Sequence, residues 1–266
     1  MAYDIKALKT RIKSVDSTCH LTKAMGLVAS SKVRRATEAM ASAASFASSL
    51  DETMKALSAC RSCQNSPYMR SGGDRVKMIV IAGDRGLAGG YNNNVFRTAR
   101  EYPDAEIIPI GKRACDKFGS GYISCEKFSS SDADELTEKL LSEFSSGEFD
   151  RLAILSTEYI TMMKQEPHVT WVLPIEKSDG VSSGTIFEPN EEEVFPWALR
   201  LYVAGVIMAS VRESFASEVA SRRVAMDAAG KNAKKMIDDL TIRYNRARQG
   251  AITQEITEIV AGAGRS

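Results

Sequence analysis

The feature that most constrains this chain is a series of apolar residues, repeated at steps of three and four, near each of its ends. The N-terminal series runs from Ile5 to Leu57, only Thr22 and Gly26 interrupt its apolar character, and no proline occurs before Pro67. Its positions are Ile5, Leu8, Ile12, Val15, Cys19, Thr22, Gly26, Ala29, Val33, Ala36, Met40, Ala43, Ala47, Leu50, Met54 and Leu57. A repeat sustained over this length predicts a coiled-coil helix rather than an ordinary amphipathic helix.

The C-terminal end carries a second series of the same kind, and no proline lies between Trp197 and Val260. Its positions are Met226, Ala229, Ala233, Met236, Leu240, Tyr244, Ala247 and Ala251. A continuous helix of that length would span roughly 90 Å, which is more than a compact domain of this size can enclose. The two ends therefore predict an antiparallel coiled coil closed by a globular insert.

Between the two long helices, patterns typical of strands and helices alternate, which predicts a parallel Rossmann-like sheet. Strands are expected at 76–82, 106–110 and 151–155, with 158–165 and 169–173 as a closing hairpin or edge. Helices are expected at 93–101, 112–118 and 132–144, and a polar loop at 177–184. The predicted fold class is α/β, with a long antiparallel coiled coil of the N- and C-terminal helices plus a central Rossmann-like α/β domain. The expected boundaries are 1–66 for the N-terminal coiled-coil helix, 67–196 for the central domain and 197–266 for the C-terminal coiled-coil helix.

The formal net charge of +1 hides a separation of charge along the chain. Residues 1–38 and residues 222–248 each carry eight basic and three acidic residues, and the rest of the chain carries the compensating acid. Basic helices of this kind suit either a nucleic acid or an acidic protein collar. Aromatic residues for base stacking are not interleaved with the charges, so a protein partner is favoured.

The sequence predicts no segment that crosses a membrane. No run of eighteen apolar residues occurs, and the longest apolar stretch, at 76–82, has the length of a strand. Residues 1–4 lead directly into the first helical series without an apolar signal core. We therefore expect the chain to be cytosolic as made, with any membrane association provided by its partners.

A glycine-rich segment, from Gly83 to Gly90, follows the first predicted strand. A dinucleotide site would require GxGxxG here, and a P-loop would require GxxxxGK followed by Ser or Thr; the segment contains neither. Asp84 would also place negative charge where a phosphate should bind. We therefore interpret these glycines as a requirement of a tight strand-to-helix turn, and no cofactor-binding residue is predicted.

The residues that commonly bind metals or catalyse reactions form no complete site. Cys60 and Cys63 form a lone CxxC at the end of the first helix, and zinc would need two more ligands at a matching spacing. A thioredoxin-type pair would open a helix rather than close one, so two reduced cysteines are the preferred interpretation. Neither His20 nor His168 lies near a nucleophile in a recognisable motif. No metal ligand and no catalytic residue is predicted.

Eight segments, in order along the chain, carry a further signal. They are 22–25 (TKAM), 27–32 (LVASSK), 34–36 (RRA), 83–92 (GDRGLAGGYN), 215–218 (FASE), 222–229 (RRVAMDAA), 232–233 (NA) and 244–249 (YNRARQ). Together they frame the whole chain and resemble the gamma subunits of F-type ATP synthase. The family commonly has cysteine at the position of Ala88, a departure with no identified consequence. This chain lacks a long redox-regulatory insertion of the chloroplast type, so the resemblance is to the bacterial type.

The resemblance implies a non-catalytic rotor subunit that is not an enzyme on its own and needs no cofactor. In that family the coiled coil inserts into a hexamer of three alpha and three beta subunits, and the globular part stands on the membrane c-ring beside epsilon. Catalysis occurs on beta, while gamma transmits the torque that couples ion translocation to ATP synthesis. The implied location is the cytoplasmic face of the bacterial cell membrane, as a peripheral member of the complex.

The resemblance also implies partner contacts for individual residues. Arg248, Gln249 and Thr253 would contact the beta catch loop, where Arg248 can form a charge-assisted pair with a carboxylate. Met25 would lie where the shaft enters the collar of the hexamer. The basic residues expected to meet acidic lever segments of beta are Lys23, Lys32, Arg34 and Arg35. The residues of the family's signature turn are Asp84, Arg85, Gly86, Gly89 and Gly90. An apolar sleeve would cover Ile252, Ile256 and Ile259.

Three other functions stay open at this level. One is a nucleotide-binding α/β enzyme domain flanked by a structural coiled coil, which would bind nucleotide as an isolated chain. Another is a DNA-associated coiled-coil protein, whose duplex binding would depend steeply on salt. The third is a coiled coil that self-associates without alpha or beta. Co-purification with a large ATPase would separate the rotor subunit from all three.

Overall fold

The structure is a computed structural model that describes residues 5–70, 72–178 and 185–263. Its helices are α1 (Ile5–Ala59), α2 (Tyr91–Ala99), α3 (Lys112–Phe118), α4 (Ser130–Ser145) and α5 (Glu191–Ala263). Its strands are β1 (Val76–Ile81), β2 (Glu106–Ile110), β3 (Arg151–Thr161) and β4 (Lys164–Leu173). Two short 3-10 turns, Cys63–Asn65 and Pro67–Met69, lie between α1 and β1. Most of the polar loop expected at 177–184 lies outside the described residues.

The chain divides into two compact units. The first, which we call the coiled-coil unit, comprises Met1–Val28 and Arg223–Ser266. The second, which we call the sheet unit, comprises Ala29–Arg222. Helices α1 and α5 each contribute residues to both units.

In the coiled-coil unit, α1 and α5 lie antiparallel. Leu8, near the start of α1, shares a groove with Leu240. Further along α1, the thiol of Cys19 lies 3.8 Å from the carbonyl oxygen of Gly230, an earlier residue of α5. Every residue of the α1 series predicted from the sequence is buried or half-buried, which confirms the register of that helix.

The predicted α5 series is wrong at two positions. Met236 is 44% exposed, whereas its neighbour Ile237 is half-buried. Adjacent helical residues project about 100° apart, so only one of the two can face α1, and the steps from Ala233 to Leu240 through Ile237 keep the seam continuous. Ala251 is also exposed, because the described part of α1 lies opposite earlier turns of α5.

The ends of the long helices differ from the expected ones. The first helix was expected to extend to a break at 65–67, but α1 ends at Ala59. Helix α5 begins at Glu191 and includes Pro196, six residues before the expected start at 197. Asn190 caps it, because its side-chain oxygen accepts from the backbone N–H of Glu193 and its amide nitrogen donates to the carboxylate of Glu193, both at 2.9 Å. This reciprocal cap stabilises the first turn.

The sheet of the sheet unit has the strand order β2-β1-β3-β4. β1 is parallel to β2 and to β3, as the alternation of strands and helices predicted. β4 is antiparallel to β3, so the sheet is mixed and the expected closing hairpin forms its edge. Helices cover both faces: Ile79 and Ile154 pack with α1, α4 and α5, while Met78, Val80 and Leu155 pack with α2 and α3.

The strands expected at 151–155 and 158–165 are one strand as far as Thr161, and the hairpin turn lies within the second of them. Ser156 and Thr157 lie between the two expected strands. Both are buried, with exposed fractions of 0% and 2%. The backbone of Thr157 is hydrogen-bonded to α5, so tertiary contacts continue the strand where its own side chains did not predict one.

Helix α5 contains one stretch that is long and apolar enough to cross a membrane by composition, with a mean hydropathy of 1.6. Leu199, Val203, Ile207 and Val211 of this helix are completely buried in the core of the sheet unit. Their apolar character is accounted for by packing within the chain.

Candidate functional site

Six polar residues on one face of α5 point at the carboxyl ends of β1 and β3, and we call this set the polar row. Its members are Glu213, Ser214, Ser217, Glu218, Ser221 and Arg222. They follow one another at steps of one and three, so that partners four residues apart repeat along a single helical face. Ala216, Val219 and Ala220 between them are buried, so the row belongs to a buried stretch of the helix.

The first part of the polar row binds the end of β3. The hydroxyl oxygen of Ser214 accepts from the backbone N–H of Thr157 at 3.0 Å, and the hydroxyl of Ser217 donates to the Thr157 carbonyl at 3.1 Å. A carboxylate oxygen of Glu213 accepts from the N–H of Tyr159 at 3.2 Å. The paired register of β1 and β3 extends only to Leu155. The side chains of α5 thus satisfy backbone groups of β3 that β1 no longer pairs.

The middle of the row binds the turn after β1. Glu218 is 1% exposed, and its carboxylate accepts from the backbone N–H groups of Asp84 at 3.4 Å and Arg85 at 3.3 Å. Arg222, one helical turn later, donates to the same carboxylate. A β-carbon added at Gly83 would lie 2.8 Å from Cδ of Glu218, which is too close for a real contact. Glycine at 83 is therefore what lets the carboxylate reach the two amides.

Glu218 and Arg222 form an ion pair with little access to water, since their side chains are 1% and 12% exposed. Arg222 also donates to the carbonyl oxygens of Arg85 and Gly86, each at 3.4 Å. Breaking such a pair by removing one partner costs about 3–5 kcal/mol, because the other charge stays buried. The pair therefore binds α5 to both kinds of backbone group in the turn: Glu218 accepts from its N–H groups, and Arg222 donates to its carbonyl oxygens.

The last contacts of the row reach the glycine-rich segment and the start of α2. The hydroxyl of Ser221 donates to the carbonyl of Ala88 at 2.9 Å, and the hydroxyl of Tyr91 donates to the carbonyl of Ser214 at 2.9 Å. Complete burial raises the pKa of Tyr91 well above its usual value. Tyr91 therefore keeps its proton and acts as a donor at any physiological pH.

The signature turn itself is held by Asp84. Its carboxylate accepts from the hydroxyl of Ser124 at 2.7 Å, the N–H of Cys125 at 2.8 Å and the N–H of Glu126 at 3.2 Å. Gly89 has a φ of 58°, a conformation that favours glycine. Asp84 thus binds the backbone of the segment at 124–126, and Gly89 adopts a conformation suited to a tight turn. The other turn residues lie around them: Arg85 and Gly86 offer carbonyls to Arg222, and Gly90 precedes α2.

The location of the polar row matters for any ligand. In an open α/β sheet, ligands bind outside the carboxyl ends of parallel strands, at the point where the strand order reverses. Here that point lies between β1 and β3, and the amides of Asp84 and Arg85 are the groups a phosphate would use. The carboxylate of Glu218 already accepts from both. The chain thus fills this position with its own side chain.

The structure places the residues implied for the beta catch loop together on α5. Arg248, Gln249 and Thr253 are all exposed. The hydroxyl of Thr253 donates to the carbonyl of Gln249 within the helix at 2.9 Å. On α1, Lys23 is exposed and Met25 is half-buried. All five belong to the coiled-coil unit.

The remaining basic residues belong to the sheet unit. Lys32 pairs with Glu126 at 2.5 Å, and both side chains are partly exposed. Arg34 lies 3.7 Å from Glu38 on the next turn of α1, and Arg35 is exposed. Exposed pairs of this kind contribute little stability, about 0–1 kcal/mol, so a charged partner can replace them.

The end of α5 is exposed on every side. All residues from 248 to 261 are exposed. The apolar side chains among them are Ile252 at 46%, Ile256 at 56%, Ile259 at 68% and Val260 at 65%. A stripe of large exposed aliphatic side chains is typical of an interaction surface.

The polar row is the functional feature that the sequence did not identify. The segments 215–218 and 222–229 carried the resemblance, yet no role followed for Ser217, Glu218 or Arg222. A signal was present: hydroxyl and carboxyl residues recur every four positions within an apolar helical stretch. Their partners are backbone groups, and backbone groups leave no sequence pattern.

The chain matches known proteins along nearly its whole length. The model of the family described as ATP synthase matches residues 4–264. A protein of Ruminococcus albus named ATP synthase gamma chain is 39% identical over 96% of this chain and 96% of its own. The ATP synthase gamma chain of Roseobacter denitrificans is 36% identical over 97% of this chain and 98% of its own.

Solved structures share the fold. The rotor of the Euglena gracilis mitochondrial ATP synthase contains a chain with a TM-score of 0.65 at 17% identity, covering 93% of this chain and 98% of that one. The central stalk and c-ring structure from Tetrahymena thermophila contains one with a TM-score of 0.62 at 19% identity, covering 79% and 99%. With a family match over the whole sequence and relatives above one-third identity, this chain belongs to the ATP synthase gamma-chain family.

Proposed function

We propose that this chain is the non-catalytic central rotor shaft of an F-type ATP synthase. It transmits torque between the membrane c-ring and the catalytic hexamer of alpha and beta subunits, and so couples ion translocation to ATP synthesis. The observation that carries the proposal is the exposed end of α5, where every residue from 248 to 261 is exposed and the stripe of Ile252, Ile256 and Ile259 faces solvent. Such an end is stable only inside an apolar sleeve supplied by partners.

The polar residues at the exposed end of α5 make the faces of the helix differ from one another. A shaft drives identical subunits out of step only if its faces differ, because a ligand shifts an equilibrium only through its differential affinity for the states. Arg248 lies on one side of the aliphatic stripe, and Gln249 and Thr253 lie on the other. We assign them to the beta catch loop, with Arg248 paired to a carboxylate.

The basic residues of α1 are assigned to acidic segments of beta. Lys23, Arg34 and Arg35 are exposed and available, and Lys32 would exchange Glu126 for a carboxylate of beta. Met25, half-buried on α1, is assigned to the point where the shaft enters the collar. Screening by salt should weaken the contacts of the four basic residues most.

The division of labour follows the three segments. Helices α1 and α5 bind the alpha and beta subunits, and the α/β domain between them binds epsilon and the c-ring. The chain itself is peripheral, at the cytoplasmic face of a bacterial cell membrane, and its membrane association passes through the complex. The bacterial relatives at 36–39% identity support this placement.

The polar row argues against a nucleotide-binding enzyme. Glu218 takes the two amides at the carboxyl end of β1, and its negative charge would repel a phosphate there. The signature turn of Asp84, Arg85 and Gly86 is therefore assigned a structural role within the rotor.

The test is reconstitution with and without this chain. The isolated chain should neither hydrolyse ATP nor shift its thermal unfolding with nucleotide, and it should co-purify with alpha, beta and epsilon when expressed with them. Membranes that contain the full complex should couple ATP hydrolysis to ion pumping only when the chain is present. ATP hydrolysis by the isolated chain, or assembly and coupling without it, would overturn the proposal.

A further inference from the structure

Helix α5 contacts the sheet through directional bonds, not only through apolar packing. Apolar contacts are non-directional, so they fix the roll of a helix about its own axis less narrowly than hydrogen bonds do. Hydrogen bonds weaken steeply when their geometry is disturbed. The polar row provides such bonds on one face of α5, to Thr157 and Tyr159 on β3 and to Asp84 and Arg85 after β1.

The two sets of bonds reach neighbouring strands. The strands β1 and β3 are adjacent in the sheet, about 4.8 Å apart. Ser214 and Ser217 bind β3, and Glu218 binds the turn after β1. A roll of α5 about its own axis would move these side chains across the sheet and so disturb the geometry of both sets of bonds.

Glu218 is the member of the row that resists roll most. It is 1% exposed, and it binds two consecutive amides and Arg222 at once. Gly83 leaves no free space beside it, since a β-carbon there would lie 2.8 Å from its Cδ. The carboxylate thus fits one rotational setting of the helix.

We infer that Glu218 is a positioning residue for torque transmission: it fixes the roll of α5 on the sheet, so that twisting load carried by α5 passes into β1 and the rest of the sheet without slack. This inference rests on the proposed rotor function. It concerns a contact within the chain and is independent of which subunit residues meet Arg248.

The experiment uses the complete ATP synthase complex in sealed vesicles, with this chain as its gamma subunit. The variants are Glu218→Ala and Glu218→Gln. Asp150→Asn is the matched control, because it also removes a carboxylate, but one that pairs with Arg75 at a distance of 2.9 Å rather than with a residue of α5. Two quantities are measured for each: ions pumped per ATP hydrolysed, and hydrogen exchange of the amides of Asp84 and Arg85.

Loss of the charged hydrogen bonds should speed exchange at those two amides about tenfold in Glu218→Ala. Pumping per ATP should fall in that variant while ATP hydrolysis per complex is kept. Glu218→Gln, which keeps one acceptor oxygen, should lie between Glu218→Ala and wild type in both measurements. Asp150→Asn should couple like wild type.

Gly83→Ala provides a second route to the same defect. Its added β-carbon displaces the carboxylate while Glu218 is still present, so pumping per ATP should also fall. In the Glu218→Ala background the space is free, and Gly83→Ala should add no further loss. Additive losses would contradict a shared mechanism.

Each outcome of these measurements either supports or overturns the inference. Wild-type coupling in Glu218→Ala, or an equal loss in Asp150→Asn, overturns the inference. If Glu218→Ala fails to assemble, Gly83→Ala decides, and wild-type coupling there overturns the inference as well. If the wild-type chain itself fails to support pumping, that result refutes the proposed function, and it is distinguishable from a failure of the inference because it does not depend on the variants.

Discussion

Glu218 and Gly83 fit together so closely that a β-carbon at position 83 would lie 2.8 Å from Cδ of the glutamate. The glycine and the carboxylate are 135 positions apart in the chain, one after β1 and one on α5. Their fit lets a buried carboxylate bind the backbone of the turn. It also explains why a glycine-rich segment after a strand can exist without a nucleotide.

The first prediction concerns stability. Gly83→Ala should lower the free energy of unfolding of the chain by about 1–3 kcal/mol, because the extra carbon overpacks the site and pushes the buried carboxylate of Glu218 away from its two amides. The control is Gly72→Ala, where an added β-carbon meets nothing within 4 Å, and its effect should stay within about 0.5 kcal/mol. Denaturant unfolding measures both. Equal effects in the two variants would contradict the close fit.

The second prediction concerns the coiled-coil unit. Ala233 is 6% exposed in the seam, and Ala233→Pro should cost ~3 kcal/mol or more, through a lost backbone hydrogen bond and a clash with the preceding turn. Ala233→Gly is the control and should cost only about 1 kcal/mol, the difference in helix propensity. Helical circular dichroism and its thermal midpoint report both. An assembled and fully coupled complex that carries the proline would contradict a continuous α5.

The third prediction concerns the exposed end of α5. Arg248→Glu should reduce coupled ATP synthesis, because it places a negative charge where we assign a carboxylate of beta as the partner. Arg246→Glu makes the same change in charge on another face of the helix, about 200° away, and should have the smaller effect. ATP synthesis in energised vesicles is the measurement. Wild-type synthesis by a normally assembled Arg248→Glu complex would remove the catch-loop assignment.

The fourth prediction concerns pH. The Arg75 guanidinium holds the pKa of Asp150 below its usual value, so the folded state binds the proton less tightly than the unfolded chain. The stability from this pair is therefore present above the unfolded pKa of about 3.9 and is lost as the pH falls through the lower folded pKa. Asp150→Asn should flatten this acid limb of the unfolding profile. An unchanged acid limb would contradict the pair.

The same unfolding measurement should show the opposite pH dependence for Glu213. Burial raises the pKa of its carboxyl, although the N–H of Tyr159 opposes the shift. Its contribution to stability is present below the unfolded pKa and is lost as the pH rises through the raised folded pKa. Glu213→Gln should therefore gain on wild type as the pH rises from about 4 toward neutrality. If Glu213→Gln instead loses stability relative to wild type as the pH rises, Glu213 is stabilised as a carboxylate.

Much of the fold follows from local pattern. The α1 series from Ile5 to Leu57 has a single phase, so its buried face could be read directly from the spacing. Helix α3 and strand β2 have the predicted bounds, because a short amphipathic run and a short apolar run each had clear ends. The motifs at 83–92 and 244–249 likewise indicate the family without tertiary information.

The sequence pattern gave the wrong prediction where residues that are distant in the chain determine the local structure. Ser156 and Thr157 lie between two expected strands, but Ser214 and Ser217 of α5 satisfy the backbone there, so β3 continues. Met236 and Ile237 are both apolar, and only the position of α1 selects which one is buried.

The sequence by itself determined the two long helices, the alternating insert and the family, because periodicity and motif are properties of neighbouring residues. Only the tertiary structure decided that the polar row of α5 fills the carboxyl ends of β1 and β3. The physical reason is that Glu218 binds backbone N–H groups, which every residue except proline possesses and which no sequence pattern distinguishes. Burial then makes that bond specific, since a charge without water must keep its partners.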